Sequence, residues 1–239
     1  MRVAIHQPQF LPYPGFFHKL SLVDEWVVMD DAQYDKRFTN RNRILAPSGP
    51  IWLTVPIDKA QKFSKNSEVR VNNSMPWREE HWKKISYSYR NAKGFLDYGP
   101  YFEDLYRREH DLLLELDLET TKQAIRWLDI PVKLVLESDL GVKSQGTQRL
   151  VDVCEAVGAD TYVSGPGGRG YMDEPLFASR HMALEYTDYA PVPYRQRFGE
   201  TFVPDLSILD LLFNAGAESR RYVISGEEAR AQATSGALS

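Results

Sequence analysis

Val3, Ala4 and Ile5 form an apolar run without amphipathic alternation, the pattern of a short strand buried on both faces of a mostly parallel sheet. Pro8 has no backbone donor and ends that strand at Gln7, while Pro12 and Pro14 hold the following loop extended. After Gly15 the apolar spacing turns helical from Phe16 to Leu22, and Glu25 to Asp31, EWVVMDD, makes a second buried strand. The crossover of this βαβ unit sets its strands parallel and puts His6, Gln7, Asp30 and Asp31 on one rim. Ligands of open α/β sheets bind at that carboxyl rim, facing a helix amino terminus. A histidine alone is as often a core residue satisfied by backbone; the two aspartates beside it point to a site.

The polar stretch AQYDKRFTNRNRILAPSGP after Asp31 reads as a long loop, and Trp52 to Ile57, WLTVPI, as a third strand. A polar link from Asp58 to Ser74 holds one weak strand, Glu68 to Val71. Trp77 to Ile130 has the texture of three helices, with Pro76 and Pro100 at first-turn positions and Gly94 and Gly99 at the breaks. Its aromatic stripe is expected to pack, and His81 and His110 to be surface or half-buried helix residues. Alternation resumes with strands at Val132 to Leu136 and Thr161 to Ser164. Between them, Leu150, Val151, Cys154 and Val157 trace one helical face capped by Gly158. Met182 to Thr187 is a last strand or edge. A helix from Leu206 to Asn214 follows, with Ser207 and Asp210 near its amino end, and from Glu218 on the chain reads as a fraying tail. The expected fold is α/β, a mostly parallel sheet of about five strands. Residues 1–76 and 131–216 form its core, 77–130 a helical insertion or lid, and 217–239 a C-terminal segment.

Composition narrows the class. With 239 residues, 43% hydrophobic and 26% charged, the chain has ordinary globular make-up. A net charge of −4 argues against general nucleic-acid binding, which relies on surplus Lys and Arg. The one cysteine, Cys154, leaves no internal disulfide and no thiolate metal cluster. No signal peptide and no membrane-length apolar run stand out, so a cytoplasmic protein with at most peripheral membrane contact is expected. The oligomeric state is left open.

Two further stretches carry candidate chemistry. Gln33, Tyr34, Lys36, Arg37, Asn40, Arg41, Asn42 and Arg43 follow the twin aspartates, and planar guanidinium and amide groups suit oriented recognition of phosphate or carboxylate. The plain alternative is a solvated charged face. After the strand ending in Ser164 comes GPGGRGY, with Gly165, Gly167, Gly168, Arg169 and Tyr171. Its glycines tolerate left-handed angles that turn successive amides toward an anion, although it matches neither a P-loop nor GxGxxG. His6 is then the acid/base or oxyanion-stabilising group, Asp30 or Asp31 a base or magnesium ligand, and Lys36 an assisting cation. Arg37, Arg41 and Arg43 would clamp an anion. No HxH or HxxxH spacing supports zinc.

The blocks VAIHQPQFLPYPGFF, DDAQYDKRFTNRNRI, WLTVPI, TYVSGPGGRGY and PDLSILDLLFNAG, in that order, resemble the WbqC-like family of bacterial proteins from Met1 to about Gly216. The resemblance implies a place in surface polysaccharide (O-antigen) gene clusters or specialised metabolism. It carries motif positions onto His6, Gln7, Pro8, Gly15, Asp30, Asp31, Gln33, Tyr34, Lys36, Asn40 to Arg43, Gly165, Tyr171 and the Ser207 to Gly216 helix. The opening βαβ is more distantly similar to Rossmann-like nucleotidyl transferases with an HxGH motif. Gly15 and His18 do not reproduce that motif, and there is no KMSKS-like block. The expected function is group transfer or ligation on a small phosphorylated or nucleotide-linked substrate, with ATP or another nucleotide and magnesium as cofactors. Its rivals are an acyl or aminoacyl transferase forming an amide on an amino sugar or amine without nucleotide, and a non-catalytic binding or assembly module.

Overall fold

A computed structural model describes residues 1–224. The chain runs β1 (Arg2–His6), α1 (Pro14–Ser21), β2 (Glu25–Val28), β3 (Arg41–Ala46), β4 (Gly49–Thr54), α2 (Trp77–Tyr89), α3 (Phe95–Arg107) and α4 (Leu113–Trp127). It continues with β5 (Lys133–Leu136), α5 (Gly146–Val157), β6 (Thr161–Ser164), α6 (Glu174–Ser179), β7 (Ala183–Tyr186) and α7 (Ile208–Ala215). Five strands form one sheet in the order β5-β2-β1-β6-β7, every neighbouring pair parallel. Consecutive sheet strands thus run outward on one side of β1, then restart on the other at β6. Chain direction switches between β1 and β6, the place where doubly wound sheets open a crevice.

The apolar runs explain the layering. Ala4, Trp26, Val28 and Val163 face one way and share a buried cluster with residues of α1, α2, α3, α4 and α7. Val3, Ile5, Val27 and Tyr162 face the other way, onto Leu150, Val151, Val153 and Cys154 of α5 and Phe177 of α6. Gly158 caps α5 at φ 73°, and Ser207 caps α7 by accepting from the Leu209 amide at 3.2 Å. Among the described residues no helix is long and apolar enough to cross a membrane.

Four expectations need correcting. The polar stretch after Asp31 is not all loop: β3 and β4 pair as an antiparallel hairpin, from Arg41 opposite Thr54 to Ala46 opposite Gly49, apart from the main sheet. Its strands alternate, with Asn42 and Ile44 buried and Arg41, Arg43, Trp52 and Thr54 toward solvent, and the outward polar side disguises the strand. Glu68 to Val71 is no strand but a 3-10 turn, Asn66–Glu68, followed by isolated bridges to Ile57 and Leu112. Pro100 does not open a helix; it lies inside α3, which starts at Phe95 behind Gly94. His81 and His110 are buried, at 3% and 7% exposure. Each donates a ring N–H to a carbonyl, Thr54 O at 3.2 Å and Leu105 O at 2.9 Å, inside an aromatic nest with Trp77 and Tyr106.

Residues 219–224 are helical and docked. His18 Nδ1 donates to Val223 O at 2.7 Å, and Arg220 Nε to Leu128 O at 3.0 Å. The rest of the expected tail, 225–239, lies outside the described residues.

Candidate active site

The ladder between β1 and β6 pairs Arg2 with Thr161 and Val3 with Tyr162 and stops there, whereas β1 and β2 stay in register as far as His6 and Val28. His6 and Ser164 therefore end strands on the two sides of the switch point. Gln7 follows the first and the GPGGRG turn the second.

His6 is half-buried, its ring edge-on to Phe16 at 5.4 Å. Nδ1 donates to the Gln7 carbonyl at 2.8 Å, which assigns the proton to that nitrogen and leaves Nε2 a bare acceptor. Burial, reinforced by the charge of Lys19, pulls its pKa down to about 3, so the imidazole is neutral at pH 7. Gln7 Oε1 accepts from Asn66 Nδ2 at 3.4 Å, and the same amide nitrogen donates to Met29 O at 2.9 Å. A residue unremarkable in the sequence thus ties the ends of β1 and β2 together.

The aspartates have separate tasks. Asp30, 2% exposed, accepts the Ser138 amide at 3.0 Å and fastens the turn after β5. Asp31 pairs with Lys65, and this contact, with Lys143 and Arg149 nearby, holds its carboxyl below the usual range. Arg149 of α5 is itself held by buried Glu137, Nη2 to Oε2 at 2.7 Å beside a second close Nε contact. Lys65, Asn66, Glu137 and Arg149 were missed by sequence reasoning. They come from a polar link, a strand end and a helix, and only folding brings them to this edge. With three cations acting on Asp31 and a backbone amide on Asp30, this pair is a poor cradle for a bare magnesium ion. No group of three or more His, Cys, Asp or Glu among the described residues is arranged to hold a metal.

The other named residues divide. Gln33 bridges to Lys65 near Asp31. Lys36 and Arg37 are exposed, Arg37 beside Asp35. Asn40 Nδ2 donates to Val55 O at 2.8 Å and Asn42 Nδ2 to Leu11 O at 2.7 Å, so both serve as backbone clasps. Tyr34 is buried, and that burial is the main cause that raises its phenol to about 12. Arg41 and Arg43 stand over Trp52, at 4.6 and 5.8 Å from its ring centre. A separate cavity of about 230 Å³ adjoins Trp52, lined also by Met75, Trp77, His81 and Lys84. It lies between β4 and the first turns of α2.

At β6, Ser164 is buried and donates to Gly165 O at 3.2 Å. Pro166–Gly170 is a 3-10 turn in which none of the glycines takes a positive φ, contrary to the left-handed angles expected. Gly168 is required for another reason: a Cβ there would sit 2.3 Å from Ser164 Oγ. Arg169 stacks on Tyr186 at 4.3 Å, and Tyr171 is 70% exposed.

Residues 7–222 match the WbqC-like protein family. The chain belongs to that family. It is also 34% identical over 225 residues to the uncharacterized protein Rv1507c of Mycobacterium tuberculosis, covering 93% of this chain and 97% of that one. No solved structure matches it. The WbqC-like match begins at Gln7, directly after β1, and takes in the rest of the HQP turn, the Asp30–Asp31 edge, the hairpin, β6 and the GPGGRG turn.

Proposed function

We propose that this WbqC-like chain is an enzyme of group transfer or ligation, acting on a small phosphorylated or nucleotide-linked molecule in surface polysaccharide or specialised-metabolite biosynthesis. Family membership supports the biosynthetic class. The observation that carries the reaction type is the neutral imidazole of His6, with Nε2 unengaged, at the carboxyl end of β1; Lys65 and Arg149 lie further along the same sheet edge, beside Asp31 after β2 and Glu137 after β5. The attacking hydroxyl or amine gives its proton to Nε2, its oxygen or nitrogen bonds to the transferred phosphorus or acyl carbon, and the leaving group departs as an anion. In the free protein His6 is a weak base. A bound anion beside it raises its basicity, because an opposite charge favours the protonated ring. Lys65 and Arg149 offer the phosphate oxygens cationic contacts that magnesium supplies elsewhere. ATP or another nucleotide is the co-substrate to test.

An acyl transfer without nucleotide uses the same base and loses only the phosphate contacts. A binding module draws little support, since the rings of α2 to α4 mostly pack inward; Tyr87 and Leu96 are the large apolar side chains left exposed on them.

A thermal-shift panel of nucleotides, nucleotide sugars and sugar phosphates tests the reading. A ligand at 100 times its dissociation constant adds about 2.7 kcal/mol of stability, and at least one phosphorylated compound is expected to raise the melting temperature. His6→Ala should then abolish turnover of that compound with the fold intact. A panel with no shift, or a fully active His6→Ala chain, overturns the proposal.

A further inference from the structure

Lys19 lies on α1 at 5% exposure, yet among the described residues its amine has no hydrogen-bond or ion-pair partner. Buried lysines are ordinarily paired, because a desolvated ammonium without a counter-charge is costly. Its place in the fold explains the exception. Helix α1 begins at Pro14, just after the loop that leaves the carboxyl end of β1, and packs on the face of the sheet that carries Ala4 and Val163. Side chains on a helix lean toward its amino end, which carries the Lys19 stem up toward the edge where His6 stands. Phe16, one turn earlier, already touches the His6 ring at 5.4 Å, and the Lys19 charge is felt at that imidazole. His18, its neighbour, is committed elsewhere, to Val223 O.

We infer that Lys19 is the oxyanion-binding residue of the β1–β6 site, its ammonium taking a phosphate oxygen of the substrate and holding that group beside His6 Nε2. The inference rests on the phosphorylated-substrate reading above and names the residue that would receive the phosphate. Burial pulls the Lys19 amine down to about 7, so a phosphate entering the site supplies the missing counter-charge and restores the full ammonium. The same anion makes His6 a better proton acceptor, which links basicity to substrate occupancy.

The test uses inorganic pyrophosphate as probe on the full chain, by calorimetric titration of wild type, Lys19→Met, Lys19→Arg and His6→Ala. Lys19→Met, which keeps the stem and removes the unpaired charge, is expected to melt no lower than wild type. It should bind pyrophosphate about 10- to 100-fold more weakly, the loss of one charge-assisted contact, and Lys19→Arg should recover part of the affinity. A second measurement needs no variant: pyrophosphate should protect Lys19 of the wild-type chain from acylation, read by mass spectrometry. Unchanged affinity in Lys19→Met, or no protection, overturns the assignment while leaving the proposed reaction standing. A wild-type chain that ignores both pyrophosphate and the phosphorylated panel overturns both.

Discussion

At the scale of single residues, the most informative groups are those whose charge the fold suppresses. His6 and His81 are both pulled down to about 3, chiefly by burial, whereas in the unfolded chain each takes up a proton below about 6.5. The unfolded state therefore binds more protons between those values, and stability must fall as pH drops from about 6.5 toward 3. The slope approaches about 1.4 kcal/mol per pH unit for each imidazole. Urea titrations at pH 7 and pH 5 should show this loss, and His81→Phe should remove about half of it; equal slopes in the variant would mean that His81 is charged in the fold. Asp117 has the opposite sign. Both its oxygens are buried without a partner, as are the Tyr34 hydroxyl and Thr121 Oγ1, and burial raises its carboxyl well above the ordinary value. The folded chain then keeps a proton that the unfolded chain releases, so this group costs stability as pH rises. Asp117→Leu should melt higher than wild type, by more at pH 8 than at pH 5, and a gain independent of pH would contradict the protonated assignment.

At the scale of elements, what could be read in advance followed from burial on both faces. Contiguous runs such as VAI and EWVV announce their strands because nothing polar can interrupt them. The hairpin was hidden because half of each strand faces water, and Arg41 and Arg43 look like loop charges until they stand over Trp52 across the turn. Lys19 was hidden for a related reason: a lysine in a short helix reads as a solvated face, and only the packing of α1 against the sheet buries it. His6, Gln7, Asp30 and Asp31 were legible as one edge, but Arg149 and Glu137, 12 positions apart across a turn, carry no spacing that pairs them. The joint between α2 and α3 shows how tight these contacts are. Gly94 donates to Phe213 O at 2.8 Å, and a Cβ there would lie 2.5 Å from Leu212 O. Gly94→Ala must push α7 off the helical layer, at a cost of about 1–3 kcal/mol. A melting temperature unchanged from wild type would show that this joint relaxes freely.

Over the whole molecule, one buried carboxylate connects parts that sequence separation keeps far apart. Asp210, on α7 and 0% exposed, accepts from Tyr89 of α2 at 2.7 Å, from Tyr194 at 2.7 Å and from Gln196 at 2.8 Å. The Tyr89 hydroxyl in turn accepts the Leu45 amide of β3 at 3.0 Å, so the hairpin, the helical layer and the loop after β7 meet at this side chain. Near the helix start Asp210 reads as a cap, but Ser207 holds that role and Asp210 turns inward. Burial raises its carboxyl although the donors around it oppose the rise. Asp210→Ala would leave the Tyr89 and Tyr194 hydroxyls without their acceptor, while Gln196 keeps Val203 O, at a cost of about 3 kcal/mol. For a chain of this length that corresponds to a fall of roughly 6–12 °C in melting temperature. The effect should also spread: because Tyr89 loses the group that orients it toward Leu45, amide exchange should quicken in β3 as well as in α7. If exchange quickens in α7 alone, Asp210 serves its own helix and the hairpin is held to the body by Asn42 and the Phe10–Leu11 carbonyls instead.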